Sequence, residues 1–239
     1  MAKKPKLSIV IPAFNEEHYL PKLISSIKKQ DFKDYEIIVA DAKSEDRTAE
    51  VARKLGCMVV RARRGIPSYA RNGGVKKAMG EIILFLDADG VLPEGFLRNG
   101  LEKFERKKLD VAGSYVIPDS KNILDWLMWV ALADAWFFAV QLVNPEGFGA
   151  GIFCKKKVFD KLNGFDEKIT FGEDCDFIKR SKKMGMKFRI LNLFVKTSMR
   201  RAHGKNRLKV FGDYIKVNFQ RIILKKKTID YDFGKSHIN

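Results

Sequence analysis

A chain of 239 residues with 46% hydrophobic and 31% charged content is long enough to bury a sizeable core and too apolar to be disordered. Its size suits one α/β domain with additions better than two equal domains. The net charge of +17 excludes indifference to anions: such a field draws in nucleotides, nucleic acid or an acidic membrane face, although a Lys-rich, thermophile-like surface would account for part of it. Residues 196–239 alone carry an excess of nine positive charges. Cys57, Cys154 and Cys175 are odd in number and form no C-x-x-C pair, so neither a zinc site nor a disulfide framework is indicated. The first residues, Met1-Ala-Lys-Lys-Pro-Lys6, lack the apolar region of a signal peptide, which gives a cytoplasmic expectation.

In chain order, residues 7–11 (LSIVI) read as a first strand, stopped by Pro12, which has no N–H to donate. Tyr19, Leu20, Leu23, Ile24 and Ile27 then recur at helical spacing. Residues 35–40 form a second apolar run ending in Asp41, and 44–48 (SEDRT) supply capping residues for a helix closed by Gly56. Residues 57–60 predict a third strand, 61–74 a basic loop opening into a helix, and 82–87 a fourth strand. Strand and helix alternating four times in ninety residues predict a parallel, doubly wound arrangement. Further on, a helix is predicted over 92–105, a strand over 111–117, a strand over 188–195 and a helix over 176–184.

Residues 122–143 hold all three tryptophans, Trp126, Trp129 and Trp136. The stretch is long enough to cross a bilayer. However, Asp125 and Asp134 fall about half a turn apart on a helix, and a mid-span Asp costs about 2.5–3.5 kcal/mol. An interfacial hairpin, a buried active-site wall or an oligomer interface fits better. Near the C-terminus, Leu208, Phe211, Ile215, Phe219 and Ile222 form an apolar stripe flanked by Lys209, Lys216, Arg221 and 225–227 (KKK). That pattern describes a helix lying on an acidic membrane or one packed on the core.

The chemistry concentrates at residues 81–90 (EIILFLDADG). Two carboxylates, Asp87 and Asp89, end an apolar run of the kind that lies in the middle of a parallel sheet, where open α/β sheets bind ligands. They are spaced to hold a divalent cation that also binds phosphate, although Asp-Ala-Asp-Gly reads equally well as a turn.

Taken with Pro12-Ala-Phe-Asn-Glu16, Asp41, Ala70-Arg-Asn-Gly-Gly74, Gly164-Phe-Asp-Glu167 and Gly172-Glu-Asp174, these acids give a chain that resembles the family-2 glycosyltransferases over about residues 6–200. The resemblance implies a Rossmann-like, doubly wound mixed sheet of the GT-A type. It implies a nucleotide-sugar half (about 1–117), an acceptor half (118–200) and a basic C-terminal extension (201–239). Pro12, Ala13, Phe14 and Glu16 match the loop that embraces the nucleoside, and Asp41 matches the acid that bonds base or ribose. For Asp41 a helix-capping role is the plain alternative. Asp87 matches the acid near ribose and metal, Asp89 the direct ligand of a divalent cation (magnesium or manganese), and Arg71 a contact to sugar or diphosphate. As a lone arginine, Arg71 reads equally as a surface residue. Of Glu173 and Asp174, the second matches the general base of inverting enzymes, with helix-dipole stabilisation as the alternative. An acceptor that is itself a phosphate would need no strong base, leaving Asp174 a positioning role. The basic loop after residue 195 offers Arg200 or Arg201 for the diphosphate and His203 as a further metal ligand, a basic surface loop being the default.

The expected function is therefore transfer of a sugar, with inversion, from a nucleoside-diphosphate donor to a glycan or polyprenyl-phosphate-type acceptor. Peripheral association with the cytoplasmic face of an acidic membrane accompanies that expectation. A sugar-1-phosphate nucleotidyltransferase would carry a Gly-rich basic loop where this chain has an acidic one. A non-catalytic nucleic-acid-binding protein would explain the charge and leave the acids idle.

Overall fold

The computed structural model describes residues 4–128, 151–200, 212–213, 216–218, 220–221, 224 and 226–229. Eight strands form one mixed sheet: β1 (Leu7–Ala13), β2 (Tyr35–Asp41), β3 (Met58–Arg61), β4 (Ile82–Phe85), β5 (Gly90–Val91), β6 (Val111–Pro118), β7 (Ile152–Lys155) and β8 (Phe188–Thr197). Their spatial order is β3-β2-β1-β4-β7-β6-β8-β5. The first four strands pair in parallel, as alternating strand and helix require. β7 enters antiparallel between β4 and β6, β6 and β8 are parallel, and β5 runs antiparallel to β8.

Alternation of side chains along the strands sends Ile9 and Ile11 to one face of the sheet and Val10 to the other. The first face is covered by α1 (Leu20–Lys28), α2 (Thr48–Lys54) and α4 (Phe96–Arg106), through Leu20, Leu23, Ile24, Ala52, Leu97 and Phe104. The second is covered by α3 (Pro67–Val75), α6 (Lys156–Lys161) and α7 (Glu173–Lys183), through Val75, Val158, Phe159, Phe177 and Ile178. A short helix, α5 (Ile123–Met128), follows β6. Phe85, Phe165 and Phe177 are fully buried and pack with Phe159. Burial of each contributes about 1.5–3 kcal/mol, and together they fix the loop leading into α7.

Two expectations change. β1 does not stop at Pro12: it continues to Ala13, with Pro12 opposite Ala40 of β2. The Val10 carbonyl accepts the Leu86 N–H on the β4 side, so Pro12, two residues on, faces that same side where pairing with β4 has ended. Its missing N–H costs no ladder bond there. The helix expected from residue 176 starts at Glu173, which draws the acid pair into its first turn.

No helix among the described residues is long and apolar enough to cross a membrane. Of the Trp-rich stretch, the described part ends at residue 128, and Trp129, Asp134 and Trp136 lie outside the described residues. Asp125 is buried and accepts from the Ser120 hydroxyl at 2.5 Å, while Ile123, Trp126 and Leu127 are exposed. Leu208, Lys209, Phe211, Ile215, Phe219, Ile222 and residue 225 of the C-terminal stripe also lie outside the described residues.

Candidate active site

The site forms where β1, β2 and β4 end. The loop after β1 is clamped to the loop after β2 by hydrogen bonds. The Asn15 N–H donates to Ser44 Oγ at 3.0 Å, the Glu16 N–H to Thr48 Oγ1 at 2.7 Å and the Glu17 N–H to Asp46 Oδ2 at 3.1 Å; the Glu45 N–H returns to Asn15 Oδ1 at 2.9 Å. Asp41 is buried at the end of β2, and its carboxylate accepts the Ser44 N–H at 3.3 Å. Asp46 serves the start of α2, accepting the Thr48 N–H at 2.9 Å. The capping alternative for Asp41 is thus filled by a neighbour. Pro12 and Phe14 are half-buried, Ala13 is buried, and the Arg64 guanidinium lies 4.8 Å from the Phe14 ring centre.

The turn read from Asp-Ala-Asp-Gly is present. The Gly90 N–H closes a turn on the Asp87 carbonyl at 3.0 Å, and Gly90–Val91 then pairs with Thr197 and Lys196 of β8. The Ser198 N–H donates to the Asp89 carbonyl at 3.3 Å, so Asp89 is fastened to the end of β8. Arg200, three residues past β8, forks onto Glu16 at 2.8 and 2.5 Å, and its Nη2 stands 3.6 Å from Asp89 Oδ2. Its guanidinium stacks 4.2 Å from the Tyr19 ring centre. Burial would lower the Arg200 pKa, but Glu16 and Asp89 outweigh it and raise it. Arg200 therefore joins the loop after β1 to the acid after β4.

A second arginine makes a parallel link to the start of α7. Arg71, on α3, is only 4% exposed. It donates to Asp87 Oδ1 at 2.9 Å and, closer still, to Glu173 Oε1. Burial works against its charge, yet Glu173, Asp87 and Asp174 together raise its pKa. It is a buried bridge and not a surface residue. Burial pushes the Glu173 carboxyl above its ordinary range, with Arg71 opposing and Asp174 reinforcing the rise. Asp174, half-buried, is raised for the same first reason, with Arg71 opposing, and its Oδ1 accepts the Cys175 N–H at 2.8 Å.

The loop before α7 is held by α3. Asn72 accepts the Phe165 N–H at 2.9 Å and donates to the Phe165 carbonyl at 3.0 Å. Asp87 and Asp89 are therefore linked on one side, through Arg200, to Glu16 of the loop after β1 and on the other, through Arg71, to Glu173 at the start of α7. Among the described residues no cluster of three or more His, Cys, Asp or Glu forms a metal cage. The donor set nonetheless fits magnesium or manganese, which take one or two carboxylates and fill their remaining positions with phosphate oxygens and water. Arg201 and His203 lie outside the described residues. The bridging of acids by Arg71 and Arg200 was not foreseen from sequence, because the partners lie 102 and 184 residues apart.

Comparison with known proteins shows the family and the fold. The family model described as "Glycosyl transferase family 2" matches residues 8–162. GalNAc(5)-diNAcBac-PP-undecaprenol beta-1,3-glucosyltransferase of Campylobacter jejuni is 28% identical over 225 residues, covering 89% of this chain and 73% of that protein. A dolichyl N-acetyl-alpha-D-glucosaminyl phosphate 3-beta-D-2,3-diacetamido-2,3-dideoxy-beta-D-glucuronosyltransferase of Methanococcus voltae is 26% identical, covering 76% of this chain and 63% of that one. In fold, the chain superposes with a TM-score of 0.70 on the mannosyltransferase PcManGT of Pyrobaculum calidifontis, solved with GDP-Man and Mn2+; identity is 18%, covering 96% of this chain and 67% of that one. The sheet is the expected GT-A one, and the chain belongs to glycosyl transferase family 2.

Proposed function

We propose that this chain transfers a sugar, with inversion, from a nucleoside-diphosphate donor, and that Asp87 and Asp89 hold a divalent cation on the donor's phosphates. The observation that carries the reading is the Arg71 bridge, which sets Asp87 on the donor side beside Glu173 at the start of α7. Breaking a sugar–diphosphate bond builds negative charge on the departing nucleotide and positive character at the anomeric carbon. When bound, the cation supplies Lewis-acid stabilisation of the first. Glu16 and Asp41 receive the nucleoside, and Arg200 brings a fixed positive charge to the same edge. Asp174 removes the acceptor hydroxyl proton. Its raised proton affinity suits a base working nearer neutral pH than an ordinary carboxylate. If the acceptor is itself a phosphate, Asp174 orients it instead.

A lipid-linked acceptor at an acidic membrane surface is the acceptor class we favour. The names of the two curated relatives specify undecaprenol and dolichyl carriers, the chain carries +17, and α5 exposes Ile123, Trp126 and Leu127. The donor reading is tested by thermal shift with UDP and GDP, each with Mg2+ or Mn2+, on the wild type and on Asp89→Ala. A metal-dependent rise in melting temperature that disappears in the variant is the expected result. No response of the wild type to either nucleotide with either metal would overturn the donor assignment.

A further inference from the structure

The acceptor side of the site is braced from a direction that motif matching does not reach. Thr170, in the loop leading into α7, exchanges two hydrogen bonds with Ile229: its Oγ1 donates to the Ile229 carbonyl at 2.8 Å and accepts the Ile229 N–H at 2.8 Å. The Thr170 N–H donates to the Lys227 carbonyl at 3.2 Å, and Lys227 Nζ stands 3.4 Å from Asp166. These contacts tie residues 227 and 229 to the loop that Asn72 holds through Phe165. Arg221 crosses directly over Gly172, which is the N-cap of α7 and adopts φ +76. A Cβ at that position would come within 2.6 Å of Arg221 Cδ and 3.1 Å of its Nε. Glycine takes the left-handed backbone without strain, and any side chain there would have to displace the arginine above it. Asn218, itself buried, accepts from Arg221 Nη2 at 3.0 Å and fixes the guanidinium.

Resting on the glycosyltransferase reading, we propose that Arg221 is a positioning residue of the acceptor site: it braces the Glu173–Asp174 corner from the C-terminal side as Arg71 braces it from α3. A buried carboxylate and a half-buried one side by side repel one another, and one arginine already divided between Asp87 and Glu173 leaves Asp174 the less well compensated. Among the described residues, the charged groups that act on Asp174 include Arg71 from α3, Glu173 from its own helix, Asp87 from the turn after β4 and Arg221 from the C-terminal residues. Arg221 favours the ionised form of Asp174, the form that accepts a proton.

The test is a pH titration of the carboxyl of Asp174, followed by carbon-13 NMR of aspartate-labelled full-length protein and assigned by difference from Asp174→Asn. Arg221→Gln is expected to raise the Asp174 midpoint by about one unit, the low end of the effect of a neighbouring opposite charge. Arg221→Lys should restore most of the wild-type value. Thr170→Val, which releases Ile229 and leaves Arg221 intact, should move the midpoint the same way by a smaller amount. An unchanged midpoint in Arg221→Gln, or a rise in Arg221→Lys as large as in Arg221→Gln, would overturn the proposal. Thermal shift with UDP or GDP and Mn2+ on the same proteins separates the two claims. A wild type without nucleotide binding removes the donor reading, while the NMR midpoint still decides the role of Arg221.

Discussion

Replacing Arg71 by methionine keeps much of the side-chain volume and removes the charge that spans Asp87 and Glu173. Breaking a buried ion pair by deleting one partner costs about 3–5 kcal/mol, because the other charge is left uncompensated. Only the Glu173 arm qualifies in full. Asp87 is 40% exposed, so water screens most of its loss. The low end, about 3 kcal/mol, is therefore expected at pH 8. For a chain of this size that corresponds to a fall in melting temperature of about 6–12 °C. The pH dependence carries the sign. The folded-state pKa of Glu173 lies above its ordinary value, so between the unfolded and folded values the native state binds the extra proton and stability falls as pH rises. Losing Arg71 raises that folded value further, and protonating Glu173 relieves the variant as pH falls. The gap between wild type and Arg71→Met, measured by urea denaturation at pH 8 and pH 5.5, should narrow toward acid. A gap below about 1 kcal/mol at pH 8, or one that stays constant with pH, would refute the bridge as the organising contact.

Asn72→Ala removes both hydrogen bonds to the Phe165 backbone and should cost about 1–3 kcal/mol. Faster amide exchange should be confined to residues 164–172, and exchange rates there equal to wild type would show the loop to be held by its aromatic packing alone. The protein should float with vesicles containing phosphatidylserine at low salt, and Ile123→Ser with Leu127→Ser should weaken that flotation several-fold; a wild type that stays in the lower fractions at low salt removes the membrane proposal.

The first four strands are legible in the sequence because they are apolar runs broken by turn residues. Residues 35–41 and 82–87 announce both the strand and the acid at its tip. β7 was not foreseen: four residues (IFCK) give too short a period to separate from a buried helix segment, and antiparallel entry between β4 and β6 leaves no local mark. β5 is two residues long and hides inside a turn. Arg71 illustrates a different limit. Its neighbours Asn72, Gly73 and Gly74 suggest an exposed helix start, and only the approach of α7 from a hundred residues away makes it a buried bridge. Phe165 behaves similarly, since Gly164-Phe-Asp reads as a motif and its ring proves to be packing for Phe85 and Phe177.

The position of β7 bears on how such a chain can be divided. Because a segment from beyond residue 150 is stitched between β4 and β6, residues 1–117 and the chain that follows them are laced through one another and not set end to end. A fragment severed after residue 117 would lose the neighbour that shields Ile82, Ile83, Leu84 and Phe85, all buried in the intact protein. It would present a bare, greasy ribbon whose unsatisfied backbone invites another copy to zip onto it. Any exchange of the chain beyond residue 117 must therefore leave this inner strand with residues 1–117.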